Sequence, residues 1–509
     1  MSQATSPVLH YESRGPAGHG RLFAGCFISL VATAFGFVVR GMVITEWGTV
    51  FNLSETQKGS IIGAGLFPFA ISIILFSLVI DKIGYGKAMI FAFVCHILFA
   101  AITITATGYT ALYWGSLLGA LAAGTVEAVI NPVVATLFPR EKVKWLSILH
   151  AGWPGGLVLG GLLALFMGEG TNWKYKIALV FIPTILYGVL MLGKKFPVHE
   201  RVAAGVSYRD MLREFGVISA LLVSFLMFSE LGRVFDFPVW LTWTLIVAAT
   251  VVYGFATGWA PGRGLFIILV LIMIPLATTE LGTDTWVTDL MTPEMAKLGL
   301  QAGWILVYTS LIMMILRFCA GSIVHRLSPL GLLSIAAFLA MIGLIFLSKA
   351  AGFTILIAAT IYGIGKTFFW PAMLGVVSER FPKGGALTIN GIAGIGMLGV
   401  GTVGAVFLGY IQDSSVNAKL QKENPAIHQT VSAEKKWVFG TYTFVDPEKV
   451  KTVSESEHQE ITKLSEEAKK EALLAVAIFP AIMLVSYLLL MAYFKSIGGY
   501  RAVDITEAG

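Results

Sequence analysis

The apolar residues of this chain are gathered in unbroken blocks of about 20, the length of helix that crosses the hydrocarbon core of a bilayer. Positions 59–80, for example, hold no charged residue. A water-soluble chain spaces its apolar residues at amphipathic intervals, so the blocks predict an all-α polytopic membrane protein. Composition agrees, with 56% hydrophobic and 13% charged residues over 509 positions. The net charge of +6 needs no nucleic-acid partner, because basic residues collect in loops on one side of a membrane. Cys26, Cys95 and Cys319 all fall within apolar blocks, so no disulfide framework is expected. Residues 1–20 are polar and read as a tail rather than a cleavable signal peptide.

The blocks give fourteen expected spans: 21–45, 59–80, 88–107, 111–138, 145–167, 173–192, 215–235, 238–259, 265–286, 300–324, 330–347, 353–377, 386–410 and 472–494. An even number puts both termini on one face. Loops carrying Lys82 with Lys87, Arg140 with Lys142 and Lys144, Arg201, Arg263, Arg326 and Arg380 fall on that same face, which the positive-inside rule makes cytoplasmic. The expected location is therefore the cytoplasmic cell membrane. Trp47, Trp114, Trp145, Trp173 and Trp259 stand at span ends and read as an interfacial belt. Between the last two spans, 411–470 is polar and reads as an outer loop, with a hairpin around Gly440 and an amphipathic helix from Ser454.

The chain also repeats itself. Glu127 precedes Pro132 by the same interval as Lys366 precedes Pro371, and SILHAGWPGG (147–156) overlies TINGIAGIG (388–396), which sets His150 opposite Asn390. Ser54 and Thr292 are matching helix-start signals, and aligning them puts Glu46 over Asp284. Two parallel six-helix bundles with an inserted helix pair is the simplest reading. It divides the chain into a cytoplasmic tail (1–20), a first bundle (21–193), a cytoplasmic linker (194–214) and the inserted pair (215–260). The second bundle follows as five helices (261–410), the outer loop (411–470), a last helix (471–494) and a cytoplasmic tail (495–509).

The loop IDKIGYGK (80–87) resembles the signature loop of the major facilitator superfamily, with Asp81, Lys82, Gly84 and Lys87 at its marked positions. RFCAGSIVHRLSP (317–329) is a weaker counterpart, in which Arg317 and Arg326 match and His325 stands where the acid would be. Glu127 with Asn131 and Pro132, followed by LSILHAGW, is similar to the fucose-permease group, as is the acidic stretch TTELGTDTW (278–286). The resemblance implies a major facilitator fold with a pseudo-twofold axis, two bundles rocking about a central cavity, and the first, fourth, seventh and tenth core helices lining it. Those helices carry Arg40, Glu127, Glu280 with Asp284, and Lys366. It also implies that Asp81, Lys82, Gly84, Lys87, Arg317 and Arg326 form gating loops.

Ionisable groups at membrane depth are expected to face a wet cavity or one another. Glu127 reads as a proton-exchanging carboxyl or as half of an ion pair with Arg40. Arg40 stays charged, so it is a counter-ion or a fork for a solute carboxylate or hydroxyls. Lys366 reads as the neighbour of Glu280 or Asp284, in a gate or a structural pair. His150, Asn131 and Asn390 offer hydrogen bonds, and Trp153 and Trp370 offer ring faces to a sugar, although all have ordinary packing alternatives. The glycine-rich runs lie inside spans and read as close helix packing, and no GxxxxGK[ST] motif is present.

The expected function is secondary active transport by alternating access, as proton-coupled symport of a sugar or sugar derivative. Three basic groups near the cavity keep an anionic solute such as a sugar acid open as an alternative, and a receptor or scaffold that does not transport is the reading from another class. No enzyme, cofactor or metal site is expected. The expected partners are a small solute, protons and the lipid bilayer, with the chain as a monomer.

Overall fold

The computed structural model describes residues 19–168, 170–283, 296, 299, 303–324, 326–437 and 440–505. Among them, thirteen helical runs are long and apolar enough to cross a membrane, and the shorter apolar helix Gly303–Phe318 is a fourteenth. Each expected span thus has a helical counterpart. Asp284, Thr292 and His325 lie outside the described residues.

The first bundle comprises α1 (Gly20–Val50), α2 (Glu55–Ala64) with α3 (Phe67–Ile83), α4 (Tyr85–Ile104), α5 (Tyr109–Leu137), α6 (Lys142–His150) with α7 (Gly152–Met167), and α8 (Trp173–Ala178) with α9 (Phe181–Met191). A short helix α10 (Glu200–Ala203) lies in the linker, and the inserted pair is α11 (Tyr208–Val234) and α12 (Val239–Thr257). The second bundle begins with α13 (Gly264–Ala277), which runs into a π-helical segment, Thr278–Gly282. It continues through α14 (Gly303–Phe318), α15 (Ala320–Val324), α16 (Pro329–Leu347), α17 (Thr354–Lys366) with α18 (Phe369–Arg380), and α19 (Gly385–Gly399). After a second π-helical segment, Val400–Gly404, come α20 (Ala405–Glu423) and α21 (Pro425–Val431). The strands β1 (Ser432–Trp437) and β2 (Gly440–Val445) follow, then α22 (Pro447–Val450), α23 (Glu455–Val476) and α24 (Ile478–Ser496).

Helix boundaries follow local chemistry. Ser54 caps α2 in a capping box with Gln57, and Ser454 caps α23 in another with Glu457. Helix α20 does not stop at position 410 as expected. Good helix formers carry it out to Glu423, where Asn424 and Pro425 end it. The polar segment between the last two spans pairs β1 with β2 antiparallel, from Ser432 opposite Val445 to Trp437 opposite Gly440. Leu420, Ile427, Val431, Ile461 and Leu464 form its own small core.

The bundles meet where α3 packs along α19, α7 along α14 and α6 along α18. Helix α11 rests on the second bundle, with the Phe215 ring against Gly391 and 5.5 Å from the ring of Phe266. Gly216 at φ +77° kinks α11 there, and a Cβ on it would lie 2.2 Å from the Gly262 Cα. Two tryptophans depart from the belt reading: Trp47 is fully buried and Trp173 nearly so, their rings packed edge to face at 5.8 Å. Trp114 and Trp259 remain exposed at span ends.

Candidate functional site

Four prolines shape the centre of the molecule. A proline inside a helix has no N–H for the carbonyl four residues before it, and in a membrane that carbonyl must find another donor. Pro132 releases the carbonyl of Ala128, Pro154 that of His150 and Pro371 that of Thr367. Pro68, just after the break between α2 and α3, releases that of Ala64. Helix α5 runs on through Pro132, whereas the chain breaks between α6 and α7 and between α17 and α18.

Polar side chains from neighbouring helices take up three of these carbonyls. Asn390 donates from Nδ2 to the Ala128 oxygen at 2.8 Å. The Arg317 guanidinium donates to the His150 oxygen through Nη1 at 2.9 Å and to the Thr367 oxygen through Nε at 2.7 Å. Its remaining nitrogen, Nη2, donates to Glu280 Oε1 at 2.7 Å, and the backbone N–H of Trp370 donates to Glu280 Oε2 at 3.0 Å. The ion pair therefore spans the break in the tenth core helix, with the cation on the carbonyl end of α17 and the anion on the amide end of α18. Each charge matches the helix dipole it meets. The π-helical turn at Glu280 re-aims that side chain off the regular ladder.

Glu127 is buried, and its partner is an amide: Asn131 Nδ2 donates to Oε2 at 2.7 Å. Since Asn131 uses its N–H on Glu127, its Oδ1 faces His150, which donates from Nε2 at 3.0 Å. A continuous chain thus runs from Glu127 through Asn131 and the ring and backbone of His150 to Arg317 and Glu280.

Several expected pairings differ. Arg40 is not the counter-ion of Glu127. Its Nη2 reaches the Gly65 carbonyl at 3.4 Å, in the break between α2 and α3, where the missing Cβ of Gly65 leaves room for the guanidinium. Glu280 hydrogen-bonds and pairs with Arg317, and the fully buried Lys366 holds its Nζ 5.3 Å from the Tyr362 ring centroid; its expected neighbour Asp284 lies outside the described residues. Arg317 is not a rim residue of a loop: it is 1% exposed at the centre. Trp370 is buried and serves the site through its backbone, while Trp153 is partly buried with its ring 5.6 Å from that of Phe37.

On the face that collects the basic loops, a clamp joins both bundles to the linker. Lys142 donates to Glu200 at 2.8 Å and to the Ser378 carbonyl at 3.3 Å, and Arg201 pairs with Asp81. His199 Nδ1 accepts the Arg201 N–H at 3.1 Å, and burial pushes its imidazole down to about 4. Gly84 turns the signature loop at φ +86°. Lys82 sits 4.5 Å from the Tyr208 ring centroid, and Lys87 and Arg326 are exposed. Lys142 and Arg201 entered the sequence reading only as basic loop residues that set topology, and His199 and Glu200 were not singled out at all; none was read as part of a clamp.

Broken helices packed as two bundles, with buried charges at the breaks, define a multi-pass membrane protein. The sequence profile of the Major Facilitator Superfamily matches residues 23–406, and the chain belongs to that family. Its fold is similar to that of the proton:xylose symporter XylE bound to 6-bromo-6-deoxy-D-glucose, at TM-score 0.59 and 15% identity, covering 91% of this chain and 95% of that one. It is similar too to the E. coli fucose:proton symporter FucP, at TM-score 0.56 and 16% identity, covering 91% and 98%. A gentisate transporter of Corynebacterium glutamicum is 23% identical over 198 residues, 38% of this chain and 44% of that protein. The chain thus spans less than half the length of that curated relative.

Proposed function

We propose that this chain is a proton-coupled symporter of a sugar or sugar derivative, working by alternating access in the cytoplasmic membrane with both termini in the cytoplasm. In this reading Glu127 is the group that takes up and releases the proton. One observation carries it: of the two buried carboxyls described at the centre, Glu280 is committed to Arg317, whereas Glu127 is held by an amide. Protonating Glu280 would discharge the carboxylate that pairs with the buried Arg317 guanidinium, which is costly. Protonating Glu127 leaves no such charge behind. His150 and Asn131 orient the carboxyl, and Asn390, Trp153 and Trp370 are the side chains this reading assigns to the solute. Uptake driven by an imposed pH gradient, compared between the wild type and Glu127→Gln, tests the assignment.

A second reading has its own support. Arg40 is 6% exposed, and its guanidinium meets a neutral carbonyl. A carboxylate on the solute would complete that charge, as a sugar acid could, and one relative is named for an organic anion, gentisate.

A further inference from the structure

We propose that the carbonyls released by Pro132 and Pro154 are the latch points of the closed basic face, with Asn390 and Arg317 as the bolts. The proposal rests on the reading that the two bundles rock, but not on the identity of the solute or the coupling ion. Both bonds cross the bundle interface: Asn390 on α19 reaches Ala128 on α5, and Arg317 on α14 reaches His150 at the end of α6.

A regular helix could not be latched in this way. Its carbonyls already accept from the N–H four residues on, so a side chain arriving from the other bundle would add little. Proline changes that balance. Where the N–H is missing, the partner bundle supplies a side-chain donor to Ala128 and to His150, and separating the bundles leaves each carbonyl to be met by water. Closure is thereby tied to the dryness of the centre: the bonds are strong while water is excluded and are readily exchanged once it enters. Thr367, released by Pro371, has the same arrangement inside the second bundle, so Arg317 joins one bond that stays with its own bundle to one that must break.

Asn390 and Arg317 are on this account positioning residues for the opening step. Closure can be read on the basic face, where an ideal Cβ at Gly375 would lie 3.1 Å from the Val143 Cβ, between α18 and α6. A Val143→Cys/Gly375→Cys pair, in full-length protein in native membranes with the exposed Cys319 replaced by Ser, reports closure as its rate of oxidative cross-linking. Asn390→Ala and Arg317→Lys should each slow cross-linking severalfold.

The decisive comparison restores the missing donor. Pro132→Ala gives Ala128 a helical N–H again, so on that background Asn390→Ala should cause little further loss. A full, additive loss there would show that Asn390 acts by packing alone and would overturn the proposal, as would cross-linking at the parent rate in both single variants. Should Asn390→Ala fail to assemble, the same cycle with Asn390→Ser decides. The two readings fail separately, because cross-linking of the cysteine pair reports the latch whereas gradient-driven uptake reports the coupling assignment.

Discussion

The guanidinium of Arg317 donates to the backbone carbonyl of His150 at 2.9 Å, across the interface between the two bundles. That carbonyl is available because Pro154 follows four residues later. The same guanidinium neutralises Glu280, so one side chain ties together a helix end, a second helix end and a buried acid.

Arg317→Met should therefore be among the most destabilising single changes in the chain. Removing one partner of a buried ion pair costs about 3–5 kcal/mol, because the other charge is left without compensation. Adding Glu280→Gln to Arg317→Met should recover part of that loss. Thermal unfolding of the purified protein in detergent measures both, and a double variant no more stable than Arg317→Met would count against the pairing as the main source of cost.

Arg40 offers a test of solute charge. If a solute carboxylate meets its guanidinium, Arg40→Ala should reduce uptake of a sugar acid far more than uptake of a neutral sugar. Equal losses for both would assign Arg40 to bracing the break at Gly65. Parallel uptake assays with the two solutes distinguish these outcomes.

The linker should respond to acid. Burial holds His199 down to about 4 against the ordinary 6.5, with Lys142 and Arg201 adding to the effect and Asp81 opposing it. Below 6.5 the unfolded linker takes up a proton that the folded clamp refuses until about 4. The clamp is thus at full strength above 6.5 and weakens as pH falls from 6.5 towards 4, by up to about 3 kcal/mol. Protonation would also remove the Nδ1 acceptor that meets the Arg201 N–H. His199→Gln, which keeps an acceptor, should flatten this part of the dependence in thermal unfolding followed from pH 7 to 4.5. An unchanged slope would remove His199 from the account.

The membrane fold was legible because hydrocarbon imposes a length and a composition on each span, and the repeat of Glu127 and Pro132 over Lys366 and Pro371 exposed the two-bundle plan. Glu127, Asn131 and His150 were each legible as polar groups inside apolar spans, but the hydrogen bonds that join them were not. The partners of the charges were not. Arg317 looked like the start of a loop motif, Arg40 looked like a counter-ion, and neither residue type nor spacing says which carbonyls lack donors. The signal was present in the prolines: each released carbonyl sits four residues earlier, and following that rule from Pro154 and Pro371 leads to His150 and Thr367. What it cannot supply is the donor, since Arg317 and Asn390 arrive from helices distant in sequence. The linker clamp was hidden for a similar reason, as Asp81 and Arg201 are 120 positions apart.

The coupling assignment is tested most directly in proteoliposomes loaded with a solute the protein is found to carry. With Glu127→Gln, accumulation driven by an inward proton gradient should disappear, while exchange of labelled for unlabelled solute without a gradient should persist. Gradient-driven accumulation at the wild-type level in Glu127→Gln would contradict the account.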